Sequence, residues 1–347
     1  VKFVEQNLLN TDLTLNLSQN IPWTGGSLFL ETSAQRMDLF SEHKYSWQTS
    51  PIMIGYRQSL FGYNSLKWDK RIEPVRYQEA KKNYVETLEL VSANAINKFF
   101  ALATAQSNYD IASFNYANAD TLYRYAQGRY NIGTITENEM LQLELNRLTE
   151  ETNRMNARIE MDNCMQELRS YLGIQEEREI RVRVSSRIPN FSINLNEALA
   201  LAYENSPDIQ TMKRRKLESE SAVARARANA GLKADIYLRF GLTQTADKLP
   251  EAYRNLLDQQ YVSLSISLPI LDWGRGKGQV RVARSNRDLV YTQVEQSRTD
   301  FELNVRKLVK QFNLQTQRVR IAARTDETAQ RRNEVARKLY ILGKSTI

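Results

Sequence analysis

The sequence repeats itself at an offset of 210 residues, and this duplication limits the possible folds more than any other feature. Leu271 follows Phe61 by 210 positions, and each of them stands between an alternating, strand-like run and a long helical run. Gly343 follows Gly133 by the same 210 positions, in the similar runs Leu-Tyr-Ile-Leu-Gly-Lys and Arg-Tyr-Asn-Ile-Gly-Thr. Because two separate landmarks keep one register, the chain consists of two copies of one strand-and-helix unit.

The first repeat, residues 1–193, is predicted to begin with strands and to continue into long helices. Alternating polar and apolar residues predict strands at about 12–58. Heptad spacing predicts a helical hairpin at about 65–172, and the loss of periodicity predicts a linker at 173–193. The first helix would run for about 60 residues, or roughly 90 Å, whereas the mean helix has about 11–12 residues. The chain has only 7 Pro and 13 Gly, which suits long helices because both residues are poor in helix interiors.

The second repeat, residues 194–347, is predicted to contain helices, strands and another long helix. These segments lie at about 195–231, about 234–268 and about 275–341. Inside the first of them, Ser206 is suited to be an N-cap and Pro207 to be the first residue of a new helix. The sequence starts and stops in the middle of a pattern and has no initiating Met, so we expect it to be a fragment of a longer protein.

The predicted strands have one polar and one apolar face. In the last of them, Val262, Leu264 and Ile266 interleave with serines. About ten such residues are typical of a tilted strand in a transmembrane β-barrel, and they are equally typical of a half-buried strand in a soluble sheet. Counted as four strands per chain, the runs are too few to enclose a lumen, because even small barrels take about eight. A barrel would therefore need several copies, and three copies would give twelve strands.

Two heptad seams run along the first long helix, one of tyrosines and one of alanines. They are Tyr109, Tyr116, Tyr123 and Tyr130, and Ala105, Ala112, Ala119 and Ala126. Large residues that face small ones every seven positions let two antiparallel helices pack closely, knob into hole. Gly133 suits the left-handed end of this helix, and Thr136 with Glu139 forms a capping box that starts the next one.

Several classes of function are disfavoured by the composition. The net charge of +8 is spread along the chain without a run of five or six basic residues, which argues against nucleic-acid binding. The single cysteine, Cys164, lies in a helical pattern and is expected to be a small buried residue. The single histidine, His43, has no partner histidine for a metal or catalytic site. Acidic residues are scattered without a constrained pair, so we predict no enzymatic activity, no metal and no cofactor.

A glycine-rich turn invites comparison with dinucleotide-binding loops. Gly274, Gly276 and Gly278 follow a strand and open a helix, which is the context of such a loop. The third glycine, however, comes one residue too early for the motif. The preceding strand alternates with serine, whereas a buried parallel strand would be apolar on both faces. The prediction here is a plain turn from strand to helix.

Two segments carry a resemblance to a known family. Residues 195–207, Leu-Asn-Glu-Ala-Leu-Ala-Leu-Ala-Tyr-Glu-Asn-Ser-Pro, open a helix. Residues 128–136, Gly-Arg-Tyr-Asn-Ile-Gly-Thr-Ile-Thr, form a helix tip that 338–346 partly echo. Inside a duplicated strand-and-helix unit, these segments resemble the TolC-like outer membrane efflux proteins. The run 59–68, Ser-Leu-Phe-Gly-Tyr-Asn-Ser-Leu-Lys-Trp, resembles the version found in the Bacteroidetes branch.

The resemblance implies a mainly α fold with β-strands, assembled as a homotrimer. A twelve-strand β-barrel would sit in outer-membrane lipid and continue into a periplasmic α-helical coiled-coil tube, with 173–193 in an equatorial belt. Further helices would precede Val1 and follow Ile347. The implied function is the passive exit duct of a tripartite efflux system, which carries small molecules from a periplasmic adaptor and an inner-membrane pump to the exterior. Two alternatives stay open, namely a type I protein-secretion exit channel of the same fold and a soluble periplasmic coiled-coil adaptor or scaffold.

The resemblance also places functional residues at the helix tips. The residues expected to dock the adaptor are Arg129, Tyr130, Gly133, Thr134, Thr136, Tyr340, Gly343 and Ser345. Glu139 falls where the family carries an acidic residue near the periplasmic constriction, and Tyr340 falls where it carries an aromatic partner. A hydrogen bond between them would restrain a closed gate. The capping box gives Glu139 a purely structural role instead, and both interpretations stay open.

Overall fold

The computed structural model describes residues 7–176, 178–185 and 191–341, which form five strands, five α-helices and one 3₁₀ turn. In chain order these are β1 (Leu8–Ile21), β2 (Gly26–Leu39), the 3₁₀ turn (Phe40–Glu42), β3 (Lys44–Ser59), α1 (Ser65–Asn131), α2 (Glu137–Leu172), α3 (Leu195–Asn205), α4 (Pro207–Ala230), β4 (Lys233–Ala246), β5 (Leu257–Ser267) and α5 (Arg275–Ile341). The two longest helices, α1 and α5, have 67 residues each. None of the helices in the described residues contains an apolar stretch long enough to cross a lipid bilayer.

The five strands form one antiparallel sheet in the order β1-β2-β3-β4-β5. β1 pairs with β2 over all of its 14 residues without a register shift. The count of four strands per chain is therefore corrected to five in the described residues. The turn between β1 and β2 explains the extra strand: Gly25 adopts a φ of +76°, and the Asn64 amide donates to the carbonyl oxygen of Pro22 at 3.0 Å. This anchored turn folds β1 back onto β2.

Alternation along the strands divides the sheet into an apolar face and a polar face. One cross-strand row on the apolar face consists of Leu17, Leu30, Ile54 and Phe240. The neighbouring row on the polar face consists of Ser18, Phe29, Gly55, Arg239 and Tyr261. The period-two pattern in the sequence thus becomes two chemically different surfaces, because successive side chains of a strand point to opposite faces.

One of two compact units, Val1–Lys82 with Leu199–Arg306, contains the sheet, most of α3, all of α4 and the adjoining parts of α1 and α5. Within it, α4 contacts both long helices. Arg214 of α4 pairs with Glu79 of α1, and Lys216 of α4 pairs with a glutamate of α5 at 2.9 Å. The hydroxyl of Ser206 accepts a hydrogen bond from a backbone N–H in the first turn of α4, which confirms the predicted cap.

The other compact unit, Asn83–Ala198 with Lys307–Ile347, contains α2 and the remaining parts of α1, α3 and α5. Each of the two units therefore contains residues from both sequence repeats. The core of this second unit lies between α1, α2 and the linker, and Leu102 at its centre is 0% exposed. The core residues are Leu102, Ala105, Met161 and Leu168, with Ile180 and Val182 of the linker packed against them.

Two amide side chains fix the irregular linker to the helices of this unit. Gln106 of α1 donates to the carbonyl oxygen of Ile180 at 3.0 Å and accepts from the N–H of Val182 at 3.2 Å. Asn313 of α5 makes a similar pair with Ile193, at 3.0 and 2.9 Å. Each amide offers one acceptor oxygen and an N–H donor group, so it can bond the linker as a neighbouring backbone would.

The alanine seam of α1 is buried, as expected for a closely packed hairpin. Its residues are between 3% and 9% exposed: Ala105, Ala112, Ala119 and Ala126. The tyrosine seam takes a different partner from the one that a knob-into-hole seam predicts. The guanidinium groups of α2 lie over its rings at 4.1 to 5.6 Å, in the pairs Arg158–Tyr109, Arg154–Tyr116 and Arg147–Tyr123. Such cation–π contacts let long arginine stems cover the aromatic rings.

Candidate functional site

The tip between α1 and α2 is built by a Schellman motif. The N–H of Gly133 donates to the carbonyl oxygen of Tyr130 at 2.8 Å, and that of Thr134 donates to Arg129 at 2.9 Å. This pair of bonds needs a left-handed residue at the turn, and Gly133 supplies it with a φ of +75°. The hydroxyl of Thr134 adds a second bond to the same Arg129 carbonyl oxygen. The structure therefore brings the predicted residues 129–136 together in one exposed hairpin tip.

The capping box at the start of α2 is confirmed. The carboxylate of Glu139 accepts from the backbone N–H of Thr136 at 2.8 Å, and the Thr136 hydroxyl accepts from the N–H of Glu139 at 3.3 Å. The hydrogen bond from the Thr136 backbone holds the pKa of the Glu139 carboxyl below its ordinary value of 4.5. Glu139 is therefore a charged cap at neutral pH, and its carboxylate closes the loop between the two helices.

The apolar face of the sheet is exposed to an unusual degree. Eleven of its large side chains are between 41% and 77% exposed: Leu13, Leu15, Leu17, Leu28, Leu30, Ile52, Ile54, Phe240, Val262, Leu264 and Ile266. Soluble monomers rarely expose a contiguous apolar surface of this kind, which marks a membrane or protein contact. The sheet thus presents these apolar side chains outward, and the described residues leave them uncovered.

The polar face carries a patch of large side chains that lie flat on the strands. Phe29 covers Gly55 and Met53 covers Gly241, and a Cβ atom at either glycine would overlap the covering side chain or its backbone. Phe29 is 8% exposed and Met53 is 1% exposed. Tyr237 stacks on Phe29 with ring centroids 5.7 Å apart. This patch contrasts with the serines and asparagines elsewhere on the same face.

Most of the second repeat matches a known family. Residues 198–347 match the family model described as outer membrane efflux protein. This part of the chain is therefore similar to outer membrane efflux proteins. The match supports the resemblance to this family that the sequence indicated, and it covers most of residues 195–207.

Solved outer membrane channels share the fold of the whole chain, including the part that precedes the matched residues. The Campylobacter jejuni CmeC outer membrane channel is 16% identical, with a TM-score of 0.69 over 99% of this chain and 70% of that chain. The outer-membrane channel OprN is also 16% identical, with a TM-score of 0.67 over 99% and 73%. The Vibrio cholerae outer membrane protein VceC is 13% identical, with a TM-score of 0.65 over 98% and 78%. No curated protein matches the chain by sequence.

Only part of the second predicted tip can be located. Tyr340 lies in the last turn of α5, and its side chain is outside the described residues. Gly343 and Ser345 lie outside the described residues altogether. The hydrogen bond between Glu139 and Tyr340 thus stays a prediction, as does the docking role of this second tip.

The glycine-rich turn has its own anionic cap. The carboxylate of Asp272 accepts from the N–H groups of Gly274 at 2.9 Å and Gly276 at 2.8 Å. A dinucleotide phosphate would need these same N–H groups at the start of α5. The geometry therefore supports a turn from strand to helix, with Gly274 in the left-handed region at a φ of +80°.

The aromatic and arginine patch on the polar face was not predicted from the sequence. Its members lie on β2, β3, β4 and β5, and only the strand register places Phe29 beside Gly55 and Arg239 beside Tyr261. One signal was present in the sequence: Gly55 and Gly241 interrupt strands, and such glycines often mark a close approach of another group.

Proposed function

We propose that this chain is a protomer of an outer-membrane exit duct. In this role it forms a passive channel that carries small molecules from a periplasmic adaptor and an inner-membrane pump to the exterior. The exposed apolar face of the sheet, in a chain whose second repeat is similar to outer membrane efflux proteins, is the observation that carries the proposal. This face would contact outer-membrane lipid, and the helical part would stand in the periplasm. A soluble coiled-coil scaffold leaves such a face unexplained.

A lumen requires more strands than one copy provides. The sheet has five strands, and the outer strand β5 has a free hydrogen-bonding edge within the described chain. Exposed edges of this kind pair readily with another chain. We therefore propose a homotrimer in which neighbouring copies join edge to edge and place the polar face toward the passage.

A twelve-strand barrel from three copies needs only four strands per copy. In the proposed trimer β1 therefore leaves β2, and β5 of the neighbouring copy takes its place. The pair Asn16 and Glu31, which face each other across β1 and β2, allows a test. In a Cys164→Ala background, a disulfide between Asn16→Cys and Glu31→Cys should prevent trimer formation, and its reduction should restore it. A trimer that forms with the disulfide intact would place β1 in the barrel and contradict the twelve-strand count.

The exposed tip at Arg129, Tyr130, Gly133, Thr134 and Thr136 would dock the adaptor. The hairpin ends there and its side chains are open to solvent, with Tyr130 38% exposed. The corresponding residues of the second repeat, Tyr340, Gly343 and Ser345, would form the equivalent tip. A hydrogen bond from Tyr340 to Glu139 would hold the gate closed.

The first experiment is the mass and shape of the full-length protein in detergent, by light scattering and electron microscopy. We expect a trimeric cylinder with a detergent belt at one end, and ion conductance after reconstitution into a planar lipid bilayer. A monomer or dimer that needs no detergent and conducts no ions would refute the exit duct and favour a soluble scaffold.

A further inference from the structure

The aromatic patch on the polar face forms a flat platform. Gly55 and Gly241 have no side chains, so Phe29 and Met53 of the adjoining strands can lie on the backbone. The Phe29 and Tyr237 rings are inclined by only 21°. When Phe29 and Met53 lie on the glycines, they bury apolar surface that water would otherwise contact. This burial stabilises the platform on a surface that is otherwise polar.

A third ring borders the platform. Tyr261 meets Tyr237 edge to face, with centroids 5.8 Å apart and planes inclined by 67°. Aromatic pairs prefer such stacked and edge-to-face arrangements over random contact. Phe29 is buried and supports Tyr237, so the rings open to a planar guest are those of Tyr237 and the half-exposed Tyr261.

Two arginines border the same platform. The guanidinium of Arg57 lies 5.5 Å from the ring centroid of Tyr237, its cross-strand partner. Arg239 lies between Gly55 and Tyr261 in the register, and its buried Nε has no hydrogen-bond partner. Within the described part of the chain, neither arginine side chain forms an ion pair or hydrogen bond. The terminal nitrogens of Arg239 are not buried and have no partner, so they can donate to a ligand that supplies an acceptor.

No carboxylate among the described residues lies within ion-pair distance of the two arginine side chains. Glu31, one row away, accepts a hydrogen bond from Asn16 instead. Asp235 lies opposite Ser59, in the row nearest the helices, and is exposed. The platform therefore combines a π surface with a local positive charge.

We infer that Tyr237, Tyr261, Arg57 and Arg239 form a binding site for a planar aromatic anion, such as an aryl carboxylate, with Phe29 supporting Tyr237 from below. The ring of the ligand stacks on the platform, and its carboxylate accepts hydrogen bonds from the guanidinium groups. Arginine suits this role because its planar guanidinium can donate two parallel hydrogen bonds to a carboxylate and can also stack on aromatic rings. The inference rests on the proposed function, since the trimer is what makes the polar face line the passage.

The test uses the full-length protein in a planar lipid bilayer, with 1-naphthoate as the probe. Single-channel currents should show reversible block by 1-naphthoate. Two comparison probes separate charge from stacking: decalin-2-carboxylate has the charge without the aromatic ring, and 1-naphthylmethylammonium has the ring with the opposite charge. Both should block at least about tenfold more weakly, the change expected when one charge-assisted contact or one stacking contact is lost.

Variants then assign the block to this site. Arg57→Gln with Arg239→Gln should raise the half-blocking concentration about tenfold or more. The yield of trimer in detergent reports whether this variant folds. Tyr237→Phe should preserve the block because it keeps the ring. Arg36→Gln is the matched control, since Arg36 lies on the apolar face near Tyr45 and Trp47 and should not affect the block.

The outcomes distinguish the site from the channel. A protein that conducts no ions refutes the exit duct itself. A conducting channel that 1-naphthoate does not block overturns the inferred site and leaves the duct intact. Equal block by the cationic probe, or an unchanged half-blocking concentration in the double variant, also overturns it.

Discussion

Arg214 of α4 donates two hydrogen bonds to the carboxylate of Glu79 of α1, from Nε at 2.6 Å and from a terminal nitrogen at 3.0 Å. The same guanidinium also bonds Glu218, one turn further along α4. Both partners of the main pair are largely buried, with side chains 23% and 19% exposed. A bidentate pair of this kind positions two helices more firmly than a surface ion pair, because its geometry is fixed and water is partly excluded.

Glu79→Gln should lower the free energy of unfolding by about 1–3 kcal/mol, since it removes a charged partner of a largely buried guanidinium. Hydrogen bonds from Arg214 hold the pKa of the Glu79 carboxyl below its ordinary value of 4.5. The pair therefore contributes its full stability above about pH 4.5, and the contribution is lost as the pH falls through the lowered pKa. Urea unfolding of the reconstituted protein at pH 7 and at pH 3 measures both effects.

Glu73→Gln is the matched control for this prediction. Glu73 lies less than two turns away on α1, and it pairs with Arg76 where both side chains are 53% exposed. An exposed pair is worth about 0–1 kcal/mol, so this variant should change stability little. Equal losses in the two variants would contradict the special role of the Glu79 pair.

Gly55→Ala should destabilise the sheet by about 1–3 kcal/mol, because the added methyl group overlaps the ring of Phe29. The companion change Phe29→Leu should relieve the overlap, so the double variant should lose less than the sum of the single variants. Gly278→Ala is the control, since the added group would meet open space. Strict additivity of Gly55→Ala and Phe29→Leu in urea unfolding would refute the proposed packing of Phe29 on the glycine.

Local sequence signals predicted those features whose causes are local. The cap at Ser206, the box of Thr136 and Glu139, and the left-handed Gly133 each depend on a few neighbouring residues, and the structure has all three. The sequence also predicted the polar and apolar faces of the strands, because successive side chains of a strand point to opposite faces. Family resemblance added the fold that ties these parts together.

Features that depend on register were beyond the sequence. The full pairing of β1 with β2 and the contact from Asn64 to Pro22, between residues 42 positions apart, are visible only in the structure. The tyrosine seam of α1 was visible, but the arginines of α2 that cover it depend on how the two helices align. Gln106 and Asn313 fix the linker through single amides, and nothing in the local pattern distinguishes them from exposed polar residues.

Two substitutions distinguish the two roles considered for Glu139, namely the helix cap with Thr136 and the closed gate with Tyr340. Thr136→Ala removes the capping hydroxyl, so backbone amides in the first turn of α2 should exchange hydrogen faster. Tyr340→Phe leaves the cap intact and should raise channel conductance only if Tyr340 bonds Glu139 in a closed gate. The cap should also weaken as the pH falls below about 4.5, because the lowered pKa of Glu139 reflects its bond to the Thr136 backbone. Unchanged conductance in both Tyr340→Phe and Glu139→Gln would leave the cap as the only role.

Gly133→Leu tests whether an adaptor recognises the backbone conformation of the hairpin tip. The φ of +75° at Gly133 costs a residue with a side chain about 1–2 kcal/mol, so the Schellman turn should open or shift. We expect capture of the periplasmic adaptor by the full-length channel to fall by about fivefold or more, since the bonds from 133 and 134 to Tyr130 and Arg129 would no longer fix the tip. Gly128→Ala is the matched control, because it lies inside α1 with open space around it and an ordinary φ. Adaptor capture that is the same for both variants, with trimers of equal stability, would show that the adaptor docks elsewhere and would remove residues 129–136 from the proposed interface.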